Sequence, residues 1–180
     1  MKKKKYITLL LCAGSLLFIR CKEDAPAIEY IQQGLMKGTV RGTFYDNETE
    51  FNESFNFSAY APALGGDFPG YKVDEDGTVV VFAYRYDVST NSYMNLVIYL
   101  YDEGMNPLLS DFNFWLYRER EEIFVLGMDG NNDVTLTNLS FDIKTGRFKT
   151  DIQVEGSHNT TENDATLEAS VDVVLKHRVN

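Results

Sequence analysis

The sequence predicts an all-β fold, an antiparallel β-sandwich of about nine strands. Apolar and polar residues alternate over most of the chain after residue 35, which is the period of a half-buried strand. Twelve Phe, 11 Tyr and one Trp supply the aromatic side chains that strands favour. The connections are short, and short connections join antiparallel neighbours. A lipocalin-like closed barrel is the alternative, because strands of this length fit both architectures.

The strands can be placed in order along the chain. Residues 36–45 and 51–59 alternate on either side of a polar turn, and residues 77–87 are apolar on both faces, which is typical of a central strand. Further alternating segments lie at 93–101, 112–118, 122–126, 134–141, 147–155 and 167–175. A change of phase predicts a bulge near Thr137 and Asn138. Lys144-Thr145-Gly146 predicts a hairpin turn.

One segment breaks this pattern. Residues 61–76 contain two prolines and three glycines and show no strand alternation. Loops of this length are uncommon in compact domains unless they are functional or disordered. We therefore expect Phe68 and Tyr71 either to contact a ligand or to pack against one end of the sandwich.

The first 20 residues are typical of an export signal. Four lysines at 2–5 precede a 14-residue apolar run, which is shorter than the roughly 20 residues that span a bilayer. Cys21 follows after one further residue, so we predict a lipoprotein signal at 1–20, lipid attachment at Cys21 and a tether at 21–35. Arg20 stands where such signals place a small residue. The alternative is cleavage after Ala27, which would release a soluble secreted or periplasmic protein that begins at Ile28.

The residues after this run carry a resemblance. Cys21-Lys22-Glu23-Asp24, followed by a short linker, resembles the lipoproteins of the Bacteroidetes group. The resemblance implies lipid attachment at Cys21. It also implies that Lys22, Glu23 and Asp24 act as a signal for display on the outer face of the outer membrane.

The domain itself, predicted at 36–178, carries a second resemblance to small lipoproteins of that group. The matching segments are the opening strand at 38–44, the hairpin at 139–148 and the strand at 167–173. Many of those proteins have no assigned function. The resemblance therefore implies a location and a fold more than an activity.

Charge and cysteine content limit the partners. Removal of residues 1–20 would leave 160 residues with 12 basic and 27 acidic side chains, a net charge of −15. Such a domain repels nucleic acid and anionic lipid. Cys21 would be its only cysteine, which excludes an internal disulfide and a cysteine-based metal site. The sequence indicates no cofactor.

No catalytic constellation is visible, so we predict that the protein is not an enzyme. His158 and His177 are the only histidines, and neither stands in a nucleophile or metalloprotease motif. Glu121 and Glu122 are adjacent, and neighbours on a strand point to opposite faces.

A calcium loop is also disfavoured. Asp129, Asn131 and Asp133 have the spacing that begins such a loop, but Val134 stands where glycine is needed and Ser140 where glutamate is needed. We interpret the segment as a hairpin turn and predict no metal site.

Two groups of aromatic residues are candidate ligand contacts. Trp115 and Tyr117 share a face of one predicted strand, and Tyr93, Tyr99 and Tyr101 share a face of another. If the two faces adjoin and are exposed, they form a platform on which sugar rings can stack. The alternative is that they cover the second face of the core.

These observations predict a lipid-anchored protein of the outer membrane of a Gram-negative bacterium, held to the membrane by its anchor. Its predicted role is a non-catalytic binding or interaction module for a glycan, small molecule or protein. The alternatives are a lipocalin-like carrier of a small apolar ligand and a structural surface subunit open to strand addition.

Overall fold

Two antiparallel sheets of five strands each make up the described part of the chain. The computed structural model describes residues 33–44, 49–59, 69–101, 106–118, 121–128, 132–157 and 164–178. The strands are β1 (Gln33–Thr43), β2 (Glu50–Phe57), β3 (Gly70–Val73), β4 (Val79–Tyr86), β5 (Tyr93–Tyr101), β6 (Asn106–Arg118), β7 (Glu121–Gly127), β8 (Asp133–Asp142), β9 (Arg147–Ser157) and β10 (Asp164–Val174).

The strand order confirms the predicted sandwich. Sheet A has the order β2-β1-β10-β9-β8, and sheet B is a meander of β3-β4-β5-β6-β7. The chain starts in sheet A, passes to sheet B after β2 and returns to sheet A with β8. The two sheets are not closed on each other, so the closed-barrel alternative is wrong.

Apolar side chains from the inner faces of both sheets form one core. The predicted inward set of β5, Met94, Leu96, Ile98 and Leu100, is at most 2% exposed. Aromatic rings join the sheets, because Phe55 of β2 lies 4.9 Å from Phe114 of β6 between ring centroids. Burial of each such side chain stabilises the fold by about 1.5–3 kcal/mol.

The expectation of a 16-residue loop at 61–76 is wrong for its second half, because Gly70–Val73 form β3. Backbone hydrogen bonds on both sides define this strand. It pairs with β4 on one side, and on the other the Tyr71 N–H donates to the Lys176 carbonyl at 2.9 Å while Arg178 N–H donates to the Tyr71 carbonyl at 2.7 Å. Four residues are too few to show a reliable alternation in sequence.

Two local predictions are confirmed and one strand is longer than expected. The register between β8 and β9 shifts between Thr137 and Ser140, where Asn138 has a φ of 52°. Gly146 closes the β8–β9 hairpin with a φ of 68°. Strand β6 begins at Asn106 rather than at 112, and a second register shift interrupts its pairing with β5.

The predicted signal at 1–20 lies outside the described residues, as does most of the tether at 21–35. Strand β1 begins at Gln33, just before the predicted start of the domain. All described residues belong to one compact unit, residues 31–180. None of the described segments is a helix long and apolar enough to cross a membrane.

Candidate functional site

The outer face of sheet B carries a row of aromatic side chains. Trp115 stands between Phe114 and Leu116, which face the core, so its indole points to the outer face. Its antiparallel partner on β5 is Tyr93, whose own partner on β4 is Tyr86. The Tyr93 and Trp115 rings are nearly parallel, with centroids 5.7 Å apart and planes inclined by 14°.

Two more tyrosines extend the row. Tyr117 stacks beside Trp115 with centroids 6.1 Å apart and planes inclined by 12°. Tyr84 lies 5.5 Å from Tyr93 and 6.2 Å from Tyr86 between ring centroids. We call these five residues, Tyr84, Tyr86, Tyr93, Trp115 and Tyr117, the aromatic row. All but Tyr84 are half-buried, so their rings remain partly accessible.

A polar cluster lies beside the aromatic row. Asn95 and Asn113 are opposite each other at the next outward position after the Tyr93–Trp115 pair. Their side-chain Nδ2 atoms donate to the two carboxylate oxygens of Asp111, at 3.1 Å from Asn95 and 2.9 Å from Asn113. In the part of the chain that the structure describes, neither amide oxygen accepts a hydrogen bond. We call these three residues the polar cluster; Asp111 fixes the orientation of both amides.

The turn between β4 and β5 holds one end of the row. Ser92 is 1% exposed, and its Oγ accepts a hydrogen bond from the Tyr117 backbone N–H at 2.9 Å. Thr90 Oγ1 in turn donates to Ser92 Oγ at 2.8 Å. The Asp87 carboxylate closes the turn by accepting from Ser89, and these hydrogen bonds lower the pKa of Asp87 below its usual range. The backbone at Tyr117 is therefore fixed by a buried side chain.

Tyr84 is uncharged at physiological pH. Burial raises the pKa of Tyr84 to about 12, and the neighbouring Tyr86 and Tyr117 add to this effect. Tyr84 is 9% exposed although it lies on an outer face. Its phenol stays protonated and keeps a hydroxyl donor near Tyr86 and Tyr117.

Not all of the predicted ligand contacts come together. Tyr71 pairs with Val81 and belongs to the core, so it lies on the opposite face of sheet B from Trp115 and Tyr117. Its hydroxyl donates to the Ile143 carbonyl at 2.9 Å, and its ring lies 4.9 Å from that of Phe141. The structure thus places Tyr71 in the packing between the sheets and places Trp115 with Tyr117 in the aromatic row.

The remaining predicted site residues are Phe68, Cys21, Lys22, Glu23 and Asp24, and all of them lie outside the described residues. Tyr99 and Tyr101 form a separate stacked pair with centroids 6.3 Å apart. They lie further along β5, beyond the position opposite Asp111.

Sequence reasoning missed Tyr84, Tyr86 and the polar cluster. The apolar pattern of β4 on both faces hid its two outward tyrosines. Nothing in the sequence aligns Asn95 with Asn113, because this pairing depends on the register between β5 and β6. One sequence signal could have predicted the site. Tyr93 and Asn95 share a face of one strand, and Asn113 and Trp115 share a face of the next.

Groups for catalysis or metal binding are scarce in the described ranges. His177 is exposed, and its ring lies 5.0 Å from that of Tyr71. His158, Asp129 and Asn131 lie outside those ranges, as do the side chains of Glu121 and Glu122. No group of three or more His, Cys, Asp or Glu residues among those described could hold a metal ion.

Comparison with known proteins gave no match to any family model, curated protein or solved structure.

Proposed function

We propose that this protein is a lipid-anchored, non-catalytic binding module of the outer membrane, and that it binds its ligand with the outer face of sheet B. The observation that carries the proposal is the aromatic row, which spans three adjacent strands on a face away from the core. Large aromatic side chains grouped on an outer surface are typical of binding sites.

The rigidity of this surface supports a binding role. Aromatic side chains have two rotatable bonds, so they supply a large contact area at a low cost in conformational entropy. Their backbone belongs to the inner strands of a five-stranded sheet, and Ser92 fixes the end at Tyr117. A ligand would therefore meet a surface that needs little ordering before it binds.

The anchor supports the location. Cys21 stands one residue after the apolar run, and the resemblance of residues 21–24 to Bacteroidetes lipoproteins favours lipid attachment at this residue. Burial of acyl chains contributes about 0.8 kcal/mol per CH₂, so two or more chains hold a protein firmly to a membrane. The carrier alternative required a closed barrel, which the two sheets do not form.

Tryptophan fluorescence tests the binding face. Trp115 is the only tryptophan, so its emission reports on the aromatic row alone. The Cys21→Ser chain, purified without detergent, is titrated with neutral polysaccharides, polygalacturonate, casein peptides and a long-chain fatty acid. We expect at least one of these probes to protect Trp115 from quenching by acrylamide. If none protects it at millimolar concentration, the proposed binding face is wrong.

Intact mass of the detergent-extracted protein from a Gram-negative host tests the anchor. We expect a chain that begins at Cys21 and carries acyl groups, and we expect Cys21→Ser to lose them. Cys12→Ser is the matched control, because Cys12 lies inside the predicted signal and should not affect the mature mass. A bare chain that begins at Ile28 would contradict lipid attachment.

A further inference from the structure

We propose that the ligand of this face is a neutral carbohydrate, bound by the aromatic row through ring stacking and by the polar cluster through its hydroxyl groups. This inference rests on the proposed function and names the ligand class for the same surface. The observation behind it is that Asn95 and Asn113 of the polar cluster occupy the next outward-facing pair of positions after Tyr93 and Trp115.

The aromatic row fits the apolar faces of sugar rings. Two successive pairs of rings, Tyr93–Trp115 and Trp115–Tyr117, are inclined by only 14° and 12°. Nearly parallel rings at neighbouring positions, one pair across two strands and one pair along β6, can contact more than one sugar unit. Their hydroxyl and indole N–H groups are polar tips at the margin of an apolar surface, where they can hydrogen-bond the ligand.

The polar cluster distinguishes a carbohydrate from a purely apolar ligand. The amide oxygens of Asn95 and Asn113 can accept hydrogen bonds from hydroxyl groups, and each amide keeps a second N–H for donation. An apolar ligand laid over them would remove water from these groups without replacing its hydrogen bonds. Each group left unpaired would cost roughly five- to a hundredfold in affinity. A molecule with hydroxyl groups on its rim avoids this cost.

Charge disfavours the other polar ligand classes at these two groups of residues. Asp111 is the only carboxylate in the two groups, which contain no lysine or arginine, so an anionic sugar or phosphate would be repelled locally, and the domain as a whole is acidic. Both carboxylate oxygens of Asp111 already accept from amides. This carboxylate is therefore poorly placed to pair with a basic peptide. A neutral ligand is the class that fits.

Native gel electrophoresis in the presence of dextran, galactomannan or laminarin tests the proposal, with polygalacturonate as the anionic comparison. We expect at least one neutral polysaccharide to retard the Cys21→Ser chain and to protect Trp115 from acrylamide. Trp115→Ala should weaken this binding at least tenfold, or about 1.4 kcal/mol. Asn113→Ala should weaken it roughly five- to tenfold through lost hydrogen bonds.

Leu108→Ala is the matched control. Leu108 is 53% exposed and belongs to β6, but it lies outside the aromatic row and the polar cluster. We expect its binding to equal that of the parent chain. Urea unfolding of each variant shows that it is folded at the binding temperature, so a loss of retardation reports on the contact that was removed.

The possible outcomes separate the two proposals. In the first outcome, polygalacturonate, casein peptides or fatty acid protect Trp115, but no neutral polysaccharide retards the protein. This result would overturn the carbohydrate assignment and would still support the proposed binding face. In the second outcome, a neutral polysaccharide retards the Trp115→Ala and Asn113→Ala variants as much as the parent chain. This result would show that the carbohydrate binds elsewhere and would overturn its assignment to the outer face of sheet B. If Trp115 is protected only as the protein concentration rises, sedimentation would show self-association, and both proposals would be overturned.

Discussion

Alanine at Gly146 should be far more destabilising than alanine at Gly77, although both glycines have a positive φ. The φ values are 68° at Gly146 and 87° at Gly77, a region in which a side chain costs about 1 kcal/mol or more. A methyl group at Gly77 would have no heavy atom within 4 Å. A methyl group at Gly146 would overlap the backbone carbonyl of Leu175.

The extra cost at Gly146 comes from the C-terminal segment. The Leu175 N–H donates to the Gly146 carbonyl at 2.9 Å, and the next residues pair with Tyr71. To admit a methyl group the two backbones must move apart, which breaks the first hydrogen bond and loosens those of Tyr71. At about 0.5–1.5 kcal/mol for each net hydrogen bond, we expect Gly146→Ala to cost about 3 kcal/mol and Gly77→Ala about 1 kcal/mol.

Urea unfolding, followed by Trp115 fluorescence and far-ultraviolet circular dichroism, measures both values. The decisive control is the same pair of variants in a chain that ends after residue 174. The clashing carbonyl is absent there, so Gly146→Ala should cost about as much as Gly77→Ala. The close packing of the C-terminal segment against this turn would be refuted by either of two results. The two variants could lose equal free energies of unfolding in the full-length chain, or the difference between them could persist in the shortened chain.

Three further predictions concern sheet B. Phe114→Ala should lower the free energy of unfolding by about 3–5 kcal/mol because it opens a core cavity. Trp115→Ala, one residue away on the outer face, should lower it by only about 1 kcal/mol, and urea unfolding measures both values. Since the pKa of Tyr84 is raised to about 12, the folded protein keeps a proton that the unfolded chain loses near pH 10. Stability is therefore full below pH 10 and falls as the pH rises towards 12, and Tyr84→Phe should reduce this loss by about 1–2 kcal/mol between pH 9 and 11.5. Ser92→Ala removes the acceptor for the Tyr117 N–H and should cost about 1–2 kcal/mol, measured by the same unfolding assay with Ser140→Ala as an exposed control.

The parts of the fold that follow from side-chain period could be predicted from the sequence. Strand β5 shows this, because its four inward residues alternate without interruption and all are buried. The bulge near Asn138 was also predictable, since a change of phase in sequence requires an extra residue in the strand. Both features are local, so neighbouring residues carry the whole signal.

The parts that depend on register or on backbone partners could not be predicted. Strand β3 exists because β4 and the C-terminal segment supply hydrogen bonds on its two sides, and the C-terminal partners, Lys176 and Arg178, are distant in sequence. The aromatic row likewise depends on which residue of β6 lies opposite Tyr93. A slip of one residue would turn Trp115 towards the core. Sequence reasoning could name Tyr93, Trp115 and Tyr117 as candidates, but their contact is a property of strand pairing.

The two outer faces of the sandwich differ in a way that core formation does not require. On sheet A, the Arg147 guanidinium forms a bidentate salt bridge with the Asp172 carboxylate, with N–O distances of 2.8 and 2.9 Å. The Lys149 Nζ lies 3.3 Å from the same carboxylate. Such solvated charges are sufficient to cover a sheet whose inner face is already packed. Sheet B has an equally buried inner face, yet its outer face presents the aromatic row. If those rings served only to cover the sheet, their removal would lower stability and leave every binding measurement unchanged. If they form a site, Trp115→Ala would cost little stability and most of the binding, so the comparison of these two losses decides between a covering role and a functional one.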